Sequence, residues 1–199
     1  MNLFLIRHCN RLDRDDPDWK EKSLNLLDAP LTEKGIYRSM EIANYFNDII
    51  IDAIYSSPFL RCIQTSYPIS LKTRCNIKVD NRLSERYLTK WYPEIPPGTL
   101  GNKQLFNYYP TIDLSYNIQN LPFYPEKEID ENFNLRVKSF WESIVYENKS
   151  IIVVAHGDPL MQIKRILSID PYVSTHKGSL LHLYVSGGKG EIINEFYKP

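Results

Sequence analysis

Two of the four histidines stand directly behind runs of apolar residues. Leu3 to Ile6 is a continuous apolar run that stops at Arg7-His8, and Ile151 to Ala155 stops in the same way at His156-Gly157. Arginine recurs around them: Arg7 beside the first histidine, Arg11 a little further along, and Arg61 behind Ser57-Pro58. Guanidiniums gathered on imidazoles make a poor metal site and a good site for a tetrahedral dianion, because the arginine fork matches phosphoryl oxygens bidentately. A zinc centre would want a third nitrogen, sulfur or carboxylate ligand where these positive charges stand. Asp158 could supply one, but Pro159 next to it makes a helix cap the simpler role. A phosphate-handling pocket is therefore expected. Against it stands the reading that Arg7 and Arg61 form structural ion pairs and that both histidines are satisfied polar residues.

The elements that must position these groups follow from hydrophobic periodicity. An uninterrupted apolar run is the pattern of a strand buried on both faces, and polar residues at the carboxyl ends of such strands are where open α/β sheets place their chemistry. Thr32 is expected to begin a helix with Glu33 in its first turn and Ile36, Met40, Ala43 and Phe46 on its apolar face. Asp52 to Tyr55 reads as a second strand, and Ser57-Pro58 as a cap with proline at the first position of a helix carrying Phe59, Ile63 and Tyr67. Asn76 to Val79 reads as a third strand. Phe133, Val137, Phe140, Trp141, Ile144 and Val145 mark an amphipathic helix, and a further helix starts near Asp158-Pro159 with Leu160, Ile163 and Leu167. Ser179 to Val185 and Glu191 to Phe196 flank Gly187-Gly188-Lys189-Gly190, a hairpin signal. The fold class is α/β: a mostly parallel central sheet with helices on both faces and an antiparallel C-terminal edge hairpin.

Two stretches fit this pattern less simply. The polar loop from Cys9 to Leu31, with Asp13, Asp15, Asp16 and Asp18, reads equally as an active-site lid and as an acidic surface loop. Residues 82–127 crowd Pro93, Pro96, Pro97, Pro110, Pro122 and Pro125 among Trp91, Tyr92, Tyr108, Tyr109, Phe123 and Tyr124. The prolines forbid long helices and the aromatics argue against disorder. This stretch is expected to be an ordered insertion covering the active-site edge, with one short helix near Leu105.

With 199 residues, 43% of them hydrophobic, the chain reads as a single domain over residues 1–199 that buries roughly two-thirds of its unfolded surface. Twenty-four basic residues balance twenty-four acidic ones, so no global field favours nucleic acid or an anionic membrane. Fourteen tyrosines do not interleave with lysine and arginine as a single-strand nucleic-acid platform would. Cys9, Cys62 and Cys75 contain no Cys-x-x-Cys pair and read as reduced thiols, which points to a cytoplasmic or nuclear protein. His176 and His182 read as structural.

These residues carry a resemblance. Arg7-His8 after an N-terminal strand, Leu31-Thr32-Glu33-Lys34-Gly35 before a helix, Ser56-Ser57-Pro58 followed by Arg61 and Thr65, and Ala155-His156-Gly157 near the end resemble the motifs of the histidine phosphatase superfamily, the phosphoglycerate-mutase-like fold, in that family's order. Arg7-His8-Cys9-Asn10-Arg11, Leu60 to Thr65, Trp91 and Ile112-Asp113 followed by Tyr116 look closest to the phosphatase domains of ubiquitin-associated and SH3-domain proteins, a branch that includes a fungal subunit associated with transcription factor IIIC.

The resemblance implies phosphomonoester hydrolysis with His8 as the nucleophile. Arg7, Arg61 and His156 would form the phosphate pocket, and Arg11 would be the extra pocket arginine of that branch. Glu85 would be the proton donor, although spacing alone does not separate it from Glu94 or Asp113. It implies no metal and no organic cofactor. The expected partner is a phosphorylated small molecule or phosphoprotein, with no direct nucleic-acid or membrane contact, and a homodimer is open. Two positions depart from the family: Cys9 stands where glycine is usual, and Asp158 places an acid two residues beyond His156. A catalytically weak interaction module and a phosphoglycerate-type mutase remain as alternatives.

Overall fold

The computed structural model describes residues 1–16, 18–19, 28–86, 100–116, 129–145 and 149–196. In chain order the strands are β1 (Asn2–Arg7), β2 (Ala53–Ser56), β3 (Ile77–Val79), β4 (Ser150–Ala155), β5 (Leu180–Ser186) and β6 (Lys189–Phe196). Among the described residues the α-helices are α1 (Leu12–Asp15), α2 (Glu33–Asn44), α3 (Leu60–Thr73), α4 (Asn102–Tyr108), α5 (Asp130–Ile144) and α6 (Gly157–Ile166). The strands form one sheet in the order β3-β2-β4-β1-β5-β6. β3, β2, β4 and β1 run parallel, β5 runs antiparallel to β1, and β6 antiparallel to β5. This is the architecture expected from the sequence, including the C-terminal hairpin.

The unbroken apolar runs of β1 and β4 reflect burial from both sides. Phe4, Ile6, Ile152 and Val154 face one core with Ile42, Phe46, Ile63 and Ile69 of the α2–α3 side. Leu3, Leu5, Ile151 and Val153 face the other, with Val137, Phe140 and Ile144 of α5 and Leu160 and Ile163 of α6. Neither strand has a solvent face, so neither shows alternation.

Two local expectations are corrected. The buried residues of α2 are Gly35, Arg38, Ser39, Ile42 and Ala43, so Ala43 of the expected stripe is buried while Ile36 and Met40 are exposed. Helical spacing alone did not choose between two overlapping stripes, and the face that packs is the one whose glycine admits the neighbouring chain. A Cβ on Gly35 would lie 2.3 Å from the Asn10 carbonyl oxygen, so the helix presses on the segment just beyond His8. Second, Ser57 does not cap α3. That helix starts at Leu60 with Phe59 as its N-cap residue and no side-chain cap of its own. The Asp28 carboxylate instead accepts the Leu60 N–H at 2.7 Å. Within the expected insertion, α4 contains Leu105 as anticipated, and Ile112 bridges Ile77 at the sheet edge. Trp91 to Pro97 and Phe123 to Pro125 lie outside the described residues.

Candidate active site

Register explains why the two histidines meet. Arg7 pairs with Ala155 across β1 and β4, so His8 and His156 leave adjacent strands at one level. Their ring centroids are 5.3 Å apart. Both are buried. β2 lies on the other side of β4 with Ser56 opposite Val154, which brings Ser57 beside the second histidine.

Each ring has a defined tautomer. His8 Nδ1 lies 2.8 Å from the Cys9 carbonyl oxygen. A carbonyl only accepts, so Nδ1 carries the proton and the lone pair is left on Nε2. Burial, reinforced by the Arg61 charge, holds the His8 pKa well below 6.5, so this imidazole is neutral and nucleophilic around neutral pH. His156 Nδ1 lies 3.2 Å from Arg61 Nη2, a group that only donates, so the proton sits on Nε2 and is given to Ser57 Oγ at 2.8 Å. Both ring nitrogens of His156 are thus engaged by protein, and burial with Arg61 keeps this ring neutral as well.

Arg61 is the buried charge at the centre. Its side chain is 0% exposed, its Nη1 stands 4.0 Å from the Asp28 carboxylate, and its Cζ lies 4.4 Å from the Phe59 ring centroid. Nε and Nη1 have no hydrogen-bond partner among the described residues, and neither does Nε of Arg7. Buried unpaired donors are costly unless something else satisfies them. A phosphoryl group among these arginines and beside His8 would do so. Arg7 is anchored by donation from Nη1 to the Thr175 carbonyl and lies against Gly157, where a Cβ would meet its Cζ at 3.4 Å.

Arg11 lies within electrostatic reach of both histidines, but its fork is held by Asp13, with Nε 2.6 Å from Oδ1. Glu85 Oε2 is 3.7 Å from His156 Nδ1, and its side chain is 11% exposed. Burial raises its pKa; Arg61 pulls it back and Asp158 pushes it further up. The expected cap role of Asp158 is overturned: the N-cap residue of α6 is His156, and no hydrogen bond or ion pair engages the Asp158 carboxylate among the described residues. Cys9 is fully buried, its thiol pushed up to about 12 by burial, and its N–H donates to Thr65 Oγ1 at 3.1 Å. It fills space and is unreactive. His182 stacks on Phe4 at 4.2 Å and bonds Asn2, remote from the site.

Sequence reasoning missed several supports. Asp28 is one acid among many in the loop, and nothing in its neighbours distinguishes it. Ser57-Pro58 carries a strong helix-cap signal, whereas the Ser57 hydroxyl is bonded to His156. Arg38 draws no attention in the sequence, yet its Nε and Nη2 donate to the Gly178 carbonyl at 3.0 and 2.9 Å. The Gly178 N–H in turn lies 3.1 Å from the carbonyls of both Arg7 and His8. Gly178 has φ +69°, a left-handed conformation that favours glycine.

A mostly parallel sheet that brings two neutral histidines, the buried Arg61 and the half-buried Arg7 together at the carboxyl ends of its central strands defines a phosphoryl-transfer site built on imidazole. Residues 3–177 match the histidine phosphatase superfamily (branch 1), and the chain belongs to that superfamily. It is 28% identical over 170 residues to the Hydrogenobacter thermophilus protein named "Putative phosphoserine phosphatase 2", a match covering 83% of this chain and 78% of that one. It is 27% identical over 139 residues to the transcription factor tau 55 kDa subunit of Saccharomyces cerevisiae, covering 65% of this chain and 32% of that longer protein. Among solved structures, the ecdysone phosphate phosphatase of Bombix mori in complex with tungstate superposes with a TM-score of 0.74 at 19% identity, covering 97% of this chain and 92% of that one. That likeness concerns the fold.

Proposed function

We propose that the chain hydrolyses phosphomonoesters in two steps through a phosphohistidine at His8. The observation that carries this assignment of the nucleophile is the 2.8 Å bond from His8 Nδ1 to the Cys9 carbonyl, which leaves a neutral Nε2 lone pair on His8 while both nitrogens of His156 are taken. Nε2 attacks phosphorus and the ester P–O bond breaks. Glu85, whose pKa is raised by burial, gives its proton to the leaving alkoxide. The carboxylate then takes a proton from water, which attacks phosphorus and breaks the P–N bond, returning neutral His8, protonated Glu85 and inorganic phosphate. Arg7 and Arg61 stabilise charge on the equatorial oxygens. His156 acts through Arg61, whose Nη2 it orients. Arg11 would join the pocket by exchanging Asp13 for phosphate.

The substrate class that the relatives' names support is a small phosphate ester, with a phosphotyrosine protein as the alternative. Placement near the phosphatase domains of ubiquitin-associated and SH3-domain proteins rests on the Arg7–Arg11 and Leu60–Thr65 motifs. The yeast transcription-factor relative favours a second reading, a catalytically weak interaction module. Purified protein incubated with a panel of aryl and alkyl phosphates plus a chelator separates the two. Turnover that survives the chelator is expected. A folded protein inert across the panel would favour the interaction module.

A further inference from the structure

Between Arg86, the N-terminal half of α5 and the outer face of α6 lies an open cavity of about 480 Å³, lined among others by Arg86, Asp130, Phe133, Asp158, Met161 and Arg165. Its volume is in the range of small-molecule pockets. It adjoins the site at two points: Arg86 follows Glu85, and Asp158 stands two residues beyond His156. The alcohol of a phosphomonoester must leave on the side of its proton donor, and with Glu85 in that role the cavity that begins at Arg86 is placed to receive it.

The charges along the cavity are unequally occupied. Arg86 is paired with Asp130 and its Cζ lies 5.3 Å from the Phe133 ring centroid, so that end is neutralised over an aromatic floor. On α6, Asp158, Met161 and Arg165 recur at helical spacing on one face, which places Arg165 about two turns, or roughly 10 Å, beyond Asp158. The Asp158 carboxylate is engaged by no hydrogen bond or ion pair among the described residues. Of the two α6 charges that line the cavity it is the one at the end nearer His156, and so the one nearer the ester oxygen. Its field reaches the reacting end of the site, since it acts on both Arg7 and Glu85.

We propose that this α5–α6 cavity is the leaving-group subsite and that Asp158 makes it select phosphomonoesters whose alcohol carries an ammonium group close to the ester oxygen. Alcohols bearing a carboxylate at that position are disfavoured by the same charge. The inference rests on the hydrolytic reading with Glu85 on the leaving-group side. Asp158 is a specificity residue in it and takes no part in bond breaking.

Matched esters test it. 2-Aminoethyl phosphate and propyl phosphate have nearly the same shape and differ by one positive charge. Wild-type kcat/KM should favour the amino ester by roughly three- to tenfold, the scale of one ion pair at a half-buried surface. Asp158→Asn should bring the ratio to about one, and Asp158→Glu should restore it. Binding of 2-aminoethylphosphonate against propylphosphonate, measured by calorimetry, should show the same preference without turnover. A protein that hydrolyses both esters with equal efficiency, or keeps its preference in Asp158→Asn, overturns the subsite and leaves the hydrolytic reading standing. A protein that prefers the aminophosphonate but hydrolyses no ester upholds the subsite and overturns the hydrolytic reading.

Discussion

Arg61 shows how one side chain sets the behaviour of the whole site. Its charge and the burial around it keep both histidines neutral, and the same charge opposes the rise in the Glu85 pKa that burial produces. In the proposed mechanism the nucleophile has to be neutral and the acid protonated, so the two groups would lean on opposite consequences of desolvation. A general acid matters in proportion to how poor the leaving group is. Glu85→Gln is therefore expected to slow hydrolysis of an alkyl phosphate at least tenfold more than that of nitrophenyl phosphate. In wild type, alkyl phosphate turnover should fall as rising pH deprotonates Glu85, and nitrophenyl phosphate turnover should fall less. Equal losses on both substrates, with weaker phosphate affinity, would make Glu85 a structural support of the pocket. That His8, His156, Arg7 and Arg61 come together at one sheet edge is legible in the sequence because each follows or opens a strongly patterned element. Ser57, Asp28 and Arg38 were not, since a polar residue that supports another side chain leaves no periodic trace.

At the level of elements, the site is braced from the loops inward. Asp28 ties the end of the polar loop to the start of α3, and burial pushes its carboxyl up to about 6 from an ordinary 3.8. A carboxyl that holds its proton more tightly when folded gives stability that is complete below its unfolded pKa and is lost as pH rises through the folded one. Asp28→Asn keeps an oxygen for the Leu60 N–H and removes that loss. Urea unfolding should find the variant more stable than wild type at pH 7.5, by on the order of 1–3 kcal/mol, with the gain shrinking towards pH 4. A gain independent of pH would mean that the charge is not responsible.

On the other face, Asp80 receives Arg82 and Tyr116, Arg82 reaches Ser139 and Ser143 of α5, and Arg136 Nη1 donates to the carbonyls of Arg82 and Ser84 at 2.7 and 3.0 Å. These contacts fix the chain immediately before Glu85. Arg136→Ala should lower alkyl phosphate turnover ten- to a hundredfold, as small displacements of a catalytic group do, and nitrophenyl phosphate turnover much less. Parallel losses would show a general loosening of the fold.

Across the whole molecule, the sheet was readable because burial on both faces removes alternation from β1 and β4, and because the Gly-Gly-Lys-Gly turn marks the hairpin. The packing face of α2 was not, because its glycine contact is made with a segment distant in sequence. No helix among the described residues is long and apolar enough to cross a membrane. The central claim is that the fold brings two similar histidines together and gives them different tasks through their hydrogen bonds, His8 attacking phosphorus and His156 holding Arg61. Rapid quenching into alkali during turnover of a phosphorus-labelled ester, followed by peptide mapping, tests this most directly. The label should be found on His8, and His8→Ala should trap none. Label on His156, or an unlabelled protein throughout steady turnover, would contradict the account.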